Sequence, residues 1–278
     1  ARRVCFGLDE RRHRLEALPH AADAAVCRAC GADLAYRALY VSHLGDWFCP
    51  RCGRARPALA FTARKIELRG VEALSLTVDA EGESRRIAVD IPGLYNAYNV
   101  VAAVAAAREA GVGWATIERA LGSFRAAFGR IERVTYRTRQ LTLALVKNPT
   151  GFNEVLRMLT AGTGGLAVPT LIAINDLDAD GRDVSWLWDV DFELLAGGTG
   201  NLFTTGLRGA DMANRLKYAG VPPERIHPLA GDLGAGLDAF VSALPEGGVG
   251  YILPSYTAML RIREVLADRG AVDAFWEQ

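Results

Sequence analysis

The sequence predicts an α/β chain in two parts: a first domain over 1–134 with a cysteine ribbon inserted at 24–56, and a second α/β domain over 135–278. Three observations predict it. Past Arg133, short β-branched apolar runs alternate with helical segments, as in a mostly parallel sheet covered on both faces. Between Phe61 and Asp90, apolar and polar residues alternate in runs joined at Glu81-Gly82, the pattern of antiparallel strands. Two CxxC pairs interrupt the first part.

With 278 residues, half of them apolar, the chain can bury two cores. Its 32 basic residues balance 32 acidic ones, so nothing in the charge suggests nucleic acid or an anionic membrane as a partner. No run of eighteen apolar residues occurs, and the start lacks a signal-peptide pattern. The opening ARRVCFGLDE has no initiator Met, and a fragment missing its upstream portion is expected. Four of five cysteines are paired in CxxC units, which points to a reducing cytosol rather than a disulfide framework.

In order, Arg3 to Gly7 reads as a strand, followed by an Arg-, His- and Ala-rich helix or loop. Cys27 and Cys30 are separated from Cys49 and Cys52 by an interval that reads as one strand entering the second pair. Two such knuckles, each followed by a turn-forming glycine, bring four thiolates to the corners of a tetrahedron, as a structural zinc ion requires. A redox dithiol would instead need a single CxxC opening a helix after a strand. Cys5 reads as a buried thiol and His43 as a ribbon surface residue.

Pro92 to Val134 is the pivot of the chain. A Gly-Leu-Tyr turn places Asn96 and Asn99 on the first turn of an alanine-rich helix, three residues apart and on one face. Each amide offers a donor and an acceptor, which suits a purine edge; helix capping is the alternative. Gly129-Arg130-Ile131-Glu132 then offers a tight turn and a guanidinium fork for phosphate, or a plain surface Arg-Glu pair.

In the second domain, strands are expected at 141–147, 168–175, 201–206, 225–229 and 249–254, with helices starting near Phe152, Asp211, Leu233 and Ser255. Polar clusters sit at the carboxyl ends of these strands, where sheets of this type collect their active groups: Lys147-Asn148, Asn175-Asp176, Arg208 and Ser255-Tyr256-Thr257. Between Asn175 and Glu193, six aspartates and two tryptophans follow a buried strand. An Asp-rich turn leading into a capped helix that packs Trp186 and Trp188 accounts for most of them. Asp189, beside both aromatics, is the candidate for a specific task.

Gly93-x-x-Asn96-x-x-Asn99-x-x-Ala-Ala, followed by Phe124-x-x-x-x-Gly129-Arg130-x-Glu132, resembles the end of the ATP-binding central domain of the Mur ligases, with Tyr95 where most members have His. The resemblance implies adenine contacts from Asn96 and Asn99 and a phosphate contact from Arg130. LVKNPTGFNEVL resembles the box that opens the Rossmann-like carboxy-terminal domain of that family. It matches Asn148 and Pro149, places Lys147 where the family has His, and has an apolar residue in place of the acid. The fold implied is therefore a central-domain remainder with an inserted zinc ribbon and a mostly parallel carboxy-terminal domain.

The ribbon, TTGLRGADMANRLKYAG and the segment Asp180-Gly-x-Asp183-x-Ser-Trp-x-Trp-Asp189 resemble one branch, the MurT subunits of lipid II isoglutaminyl synthase. That resemblance implies ATP- and Mg²⁺-dependent amidation of the α-carboxylate of D-glutamate in lipid II, in the cytoplasm at the inner membrane face. Membrane contact is expected only through lipid II. Ammonia is implied to come from a GatD-type glutaminase in a heterodimer, whose Cys-His pair is completed by an aspartate of this segment. Asp189 is the choice, with Asp183 and Asp191 behind it. The G-x-x-G-K-[ST] phosphate loop is absent from the sequence and is expected upstream. An amino-acid-adding Mur or folylpolyglutamate-type ligase, and a non-catalytic zinc-ribbon scaffold, are the rival readings.

Overall fold

The computed structural model describes residues 3–20, 22–124, 130–161 and 165–273, with only the backbone of Arg130. Two compact units divide the chain at 126/127.

In the first unit, β1 (Phe6–Leu8), β4 (Phe61–Arg69), β5 (Ala73–Ala80) and β6 (Glu83–Val89) form one sheet in the order β1-β4-β5-β6. β1 runs parallel to β4, and the other neighbours are antiparallel. The expected strand at the start is thus shorter than Arg3–Gly7, and Cys5 is half-buried rather than buried. A bulge at Lys65, with φ of 49°, shifts the register of β4 and takes Ile66 out of the β5 ladder. Glu10 Oε2 accepts from Ile66 N at 3.2 Å, while His13 Nε2 lies 2.9 Å from the Ile66 carbonyl oxygen. Side chains from the loop after β1 therefore satisfy the backbone groups that the bulge leaves over.

The ribbon interval is not one strand but a hairpin, β2 (Ala35–Val41) and β3 (Leu44–Phe48), reversing at Ser42 with φ of 49°. Helices α1 (Leu94–Glu109) and α2 (Trp114–Ser123) follow β6. Val100, Val101 and Val104 of α1 share a core with Ile66, Leu74, Leu76 and Val78 of the sheet. Burying each such side chain stabilises by about 1.5–3 kcal/mol.

The second unit is a six-stranded sheet in the order β11-β10-β9-β12-β8-β7. Its strands are β7 (Arg130–Tyr136), β8 (Arg139–Ala144), β9 (Thr170–Ala173), β10 (Leu202–Thr205), β11 (Ile226–Pro228) and β12 (Val249–Pro254). All neighbours are parallel except β7, which pairs antiparallel with β8 through a turn at Arg137 and Thr138, both at positive φ. Its helices are α3 (Pro149–Thr160), α4 (Gly209–Tyr218), α5 (Leu233–Ala243) and α6 (Tyr256–Asp268). The last strand, β12, inserts between β8 and β9, so the connections leave the sheet centre in opposite directions there.

The acid-rich segment differs from expectation. It forms two single-turn 3-10 helices, Ser185–Asp189 and Phe192–Leu195, and Trp188 is 52% exposed rather than packed inside. Its ring instead lies on the surface against Tyr218, with centroids 5.7 Å apart.

Candidate functional site

Three groups of polar side chains stand out, one in the ribbon, one on α1 and one along the carboxyl ends of the second sheet. In the ribbon, the four sulfurs of Cys27, Cys30, Cys49 and Cys52 lie within 4.8 Å of one another. Each knuckle closes in the same way: Gly31 N donates to the Cys27 carbonyl oxygen at 2.8 Å, and Gly53 N to that of Cys49 at 3.0 Å. The Ala29 amide, ahead of other donors, lowers the Cys27 thiol to about 6. The Cys52 amide likewise leads in lowering Cys49. Amide donors aimed at sulfur favour thiolates, and four clustered soft ligands suit a tetrahedral metal ion.

On α1, the N-cap is Gly93, not an asparagine. Gly93 has φ of 91°, and a Cβ there would meet the Tyr95 ring at 2.6 Å, so the turn requires glycine. Asn96 is buried: its amide donates to the Pro92 carbonyl oxygen at 2.6 Å, and its own oxygen accepts from Asn99 Nδ2 at 2.9 Å. The structure thus brings the two asparagines together in unequal roles. Asn96 is committed to the turn, and exposed Asn99 is held by it with its carbonyl oxygen available.

In the second unit, Asn148 is the N-cap of α3, accepting from Gly151 N at 2.7 Å. Lys147 is exposed after β8, with Nζ 5.4 Å from the Tyr256 ring centroid. Arg130 starts β7, and its side chain lies outside the described residues.

The polar ends of β9, β10 and β12 meet around buried Asn175. Its oxygen accepts from Leu207 N at 3.1 Å, its amide donates to Thr257 Oγ1 at 3.0 Å, and its backbone N donates to Ser255 Oγ at 3.0 Å. Gly206, with φ of 88°, permits this approach, since a Cβ would sit 2.5 Å from the Ile174 carbonyl oxygen. Asp176 pairs with Arg208 at 2.7 Å, and Asp180 accepts from both the backbone N and the hydroxyl of Thr257. Clusters spread over eighty residues of sequence thus become one network.

Asp183, Asp189 and Asp191 share the loop beyond that network. Asp183 accepts from Ser185 N at 2.8 Å, and that bond holds its carboxyl below the usual range. Asp189 is exposed at the end of the first 3-10 turn. Asp191 is half-buried, and its backbone N donates to Asn153 Oδ1 at 2.8 Å.

Sequence reasoning missed the residue that shapes this loop, Arg215 on α4, which is 3% exposed. It donates to the carbonyl oxygens of Leu187 at 3.2 Å and Val190 at 2.8 Å, and pairs with Glu193 at 2.9 Å. Its guanidinium also lies 5.3 Å from the Trp188 ring centroid. The available signal was its position beside Met212 and Leu216, where a charge interrupts the apolar stripe of the helix.

Residues 145–259 match the family model described as MurT ligase C-terminal. The chain is 31% identical over 270 residues to the MurT subunit of glutamine-hydrolyzing lipid II isoglutaminyl synthase from Streptococcus pneumoniae, covering 96% of this chain and 58% of that protein. It is 29% identical to the corresponding Staphylococcus aureus subunit, over 86% of this chain and 52% of that one. The chain therefore spans little more than half the length of these curated relatives. Among solved structures, a pseudomurein peptide ligase type C from Methanothermus fervidus superposes with a TM-score of 0.70 at 15% identity, over 96% of this chain and 53% of that one. The UDP-N-acetylmuramate-alanine ligase MurC from Thermotoga maritima follows at 0.56 and 14%, over 77% and 47%. At those identities the two structures speak for the fold alone.

Proposed function

We propose that this chain is part of the synthetase subunit of a glutamine-dependent amidotransferase, because it is 31% identical to one MurT subunit over 96% of its own length and its residues 145–259 match the MurT ligase C-terminal model. The reaction is ATP-dependent amidation of the α-carboxylate of D-glutamate in the lipid II stem peptide. The homology along both units carries the reading. The carboxylate is activated as an acyl phosphate, and ammonia attacks it with release of phosphate.

Within this chain, Asn99, aligned by Asn96, contacts the adenine edge, and Arg130 and Lys147 steady phosphoryl charge. Asn148, next to Lys147 in the chain, caps α3. Mg²⁺ accompanies ATP and neutralises its phosphates when bound; no residue of this chain is assigned to hold it. Asp189 orients the histidine of a GatD-type glutaminase partner, a role open to an exposed carboxylate on a clamped loop. Asp183 is tied to Ser185 and Asp191 is half-buried, which favours Asp189 among the three.

The four ribbon cysteines would hold a structural zinc ion, for which their all-sulfur donor set and close spacing fit. No helix among the described residues is long and apolar enough to cross a membrane, and the reading places the protein in the cytoplasm, meeting the membrane through lipid II.

This chain alone, without the phosphate loop expected upstream, should turn over little or no ATP, so the test supplies the full-length protein and its glutaminase partner with ATP and lipid II and compares ammonium with free amino acids as acceptors. Amidated lipid II formed from ammonium supports the reading. Product formed only from an amino acid would instead identify an amino-acid-adding ligase, and no ATP turnover at all would leave a scaffold.

A further inference from the structure

Beside the cysteine ribbon, within the first unit, lies a cavity of about 430 Å³ that the amidation chemistry leaves unused. That volume falls in the range of small-molecule sites. Four aromatic side chains from four elements wall it: Phe6 of β1, Tyr36 of β2, Trp47 of β3 and Tyr98 of α1. Arg28, inside the first knuckle, and Arg54, just after the second, line it as well.

Both arginines are exposed, and neither guanidinium has a hydrogen-bond or ion-pair partner among the described residues. Arg56, which also lines the cavity, is already engaged with the Leu8 carbonyl oxygen at 3.0 Å and with Asp46 at 3.5 Å. The Tyr36 hydroxyl donates toward the carbonyl oxygens of Ala24 at 3.2 Å and His43 at 3.3 Å. No carboxylate lines the cavity. Residues 1–56 hold ten arginines against six acids, a surplus of four in a chain whose total charge is balanced.

We propose that this cavity binds the prenyl-diphosphate end of a lipid-linked substrate, with the first isoprene units against the aromatic walls and the diphosphate on Arg28 and Arg54. Two guanidinium forks lining one cavity offer the donors that a diphosphate's paired anionic groups would take. The aromatic walls offer apolar ring faces for a hydrocarbon body. The ribbon gains a purpose as well, because folding its two knuckles around one metal sets the spacing of the two arginines. The identity of the lipid rests on the proposed function, whereas the amphiphilic diphosphate chemistry rests on the cavity itself.

Calorimetric titration of the complex of this protein with its glutaminase partner tests it, using farnesyl diphosphate, inorganic diphosphate and farnesol as probes. Farnesyl diphosphate is expected to bind more tightly than either of the other two. The double variant Arg28→Gln/Arg54→Gln, checked for unchanged metal content, weakens it about tenfold. Arg11→Gln/Arg14→Gln removes the same charge from the same segment outside the cavity and leaves the affinity unchanged. Trp47→Leu weakens farnesyl diphosphate while sparing inorganic diphosphate. In turnover, the arginine pair raises the KM for lipid II without raising that for ATP or glutamine.

Equal losses in the two double variants, or farnesyl diphosphate binding no tighter than inorganic diphosphate, overturns the proposal. A complex that amidates lipid II with an unchanged KM in the arginine variant does so too, leaving the function intact. A complex that fails to amidate lipid II strikes the function, and the isotherms still decide the cavity.

Discussion

Replacing Arg215 with Met should loosen the loop that carries Asp183, Asp189 and Asp191. The guanidinium donates to two backbone carbonyl oxygens, of Leu187 and Val190, and sits at 3% exposure. Hydrogen bonds from a charged donor contribute about 1.5–3 kcal/mol each. The ion pair to Glu193, whose side chain is 53% exposed, adds less than about 1 kcal/mol because water screens it. Met restores some apolar packing, so the net loss comes to about 3–5 kcal/mol. At a urea slope of about 2 kcal/mol per molar, the unfolding midpoint should fall by about 2 M. Hydrogen exchange should accelerate first at the amides of Leu187, Val190 and Leu194, which close the 3-10 turns. In the assembled enzyme, glutamine-driven amidation should fall while ammonium-driven amidation persists. A midpoint within about 0.5 M of the parent, with exchange of 185–195 unchanged, would refute the clamp.

The other expectations concern the first unit. Glu10 is lowered from 4.5 to about 2, first by its side-chain bond to Arg12 and then by the Arg12 and Ile66 amides. A depressed carboxyl contributes stability that is complete above 4.5 and lost as pH falls toward 2. Glu10→Gln should therefore flatten the acid limb of unfolding between those values, and an unaltered limb would contradict the bulge-capping role. In the full-length subunit, Asn99→Ala should weaken ATP binding without changing stability, whereas Asn96→Ala should do both, costing about 1–3 kcal/mol because a buried partner is lost; calorimetry and urea melts separate the two. Cys49→Ser should abolish stoichiometric zinc and expose 24–56 to protease before any other segment, and zinc retained by that variant would reject the four-thiolate site.

Much of this was legible in the residues. Strand-helix alternation gives the second sheet because a parallel strand buried on both faces must be apolar throughout, and 170–173 and 202–205 are buried at every position. The cysteine pairs were legible because metal geometry ties spacing to function, and all four sulfurs converge. The asparagines do share a face, although their different burial depends on the Pro92 carbonyl, which spacing does not reveal.

Features built from distant partners were hidden. β7 carries Arg130, Glu132 and Arg133 along its length, a charged stretch with no strand pattern of its own until β8 pairs with it. Trp188 reads as core by composition, yet its burial is limited to contact with Tyr218 and Arg215, thirty and twenty-seven residues away. The role of Arg215 was hidden because the carbonyl oxygens it satisfies belong to a turn earlier in the chain. The hairpin in the ribbon turns on Ser42 in a left-handed conformation, which no glycine or asparagine announces.

In the proposed function, nitrogen passes from glutamine, through a partner glutaminase, onto a lipid-linked carboxylate activated by this subunit. The direct measurement supplies glutamine carrying an isotope-labelled amide to the complex with ATP and lipid II, and reads the stem peptide by mass spectrometry. The account predicts labelled isoglutamine from the parent protein, and from Asp189→Asn only when free ammonium replaces glutamine. Label appearing in lipid II at the parent rate with Asp189→Asn, or lipid II left unamidated by the parent complex with either nitrogen source, would contradict it.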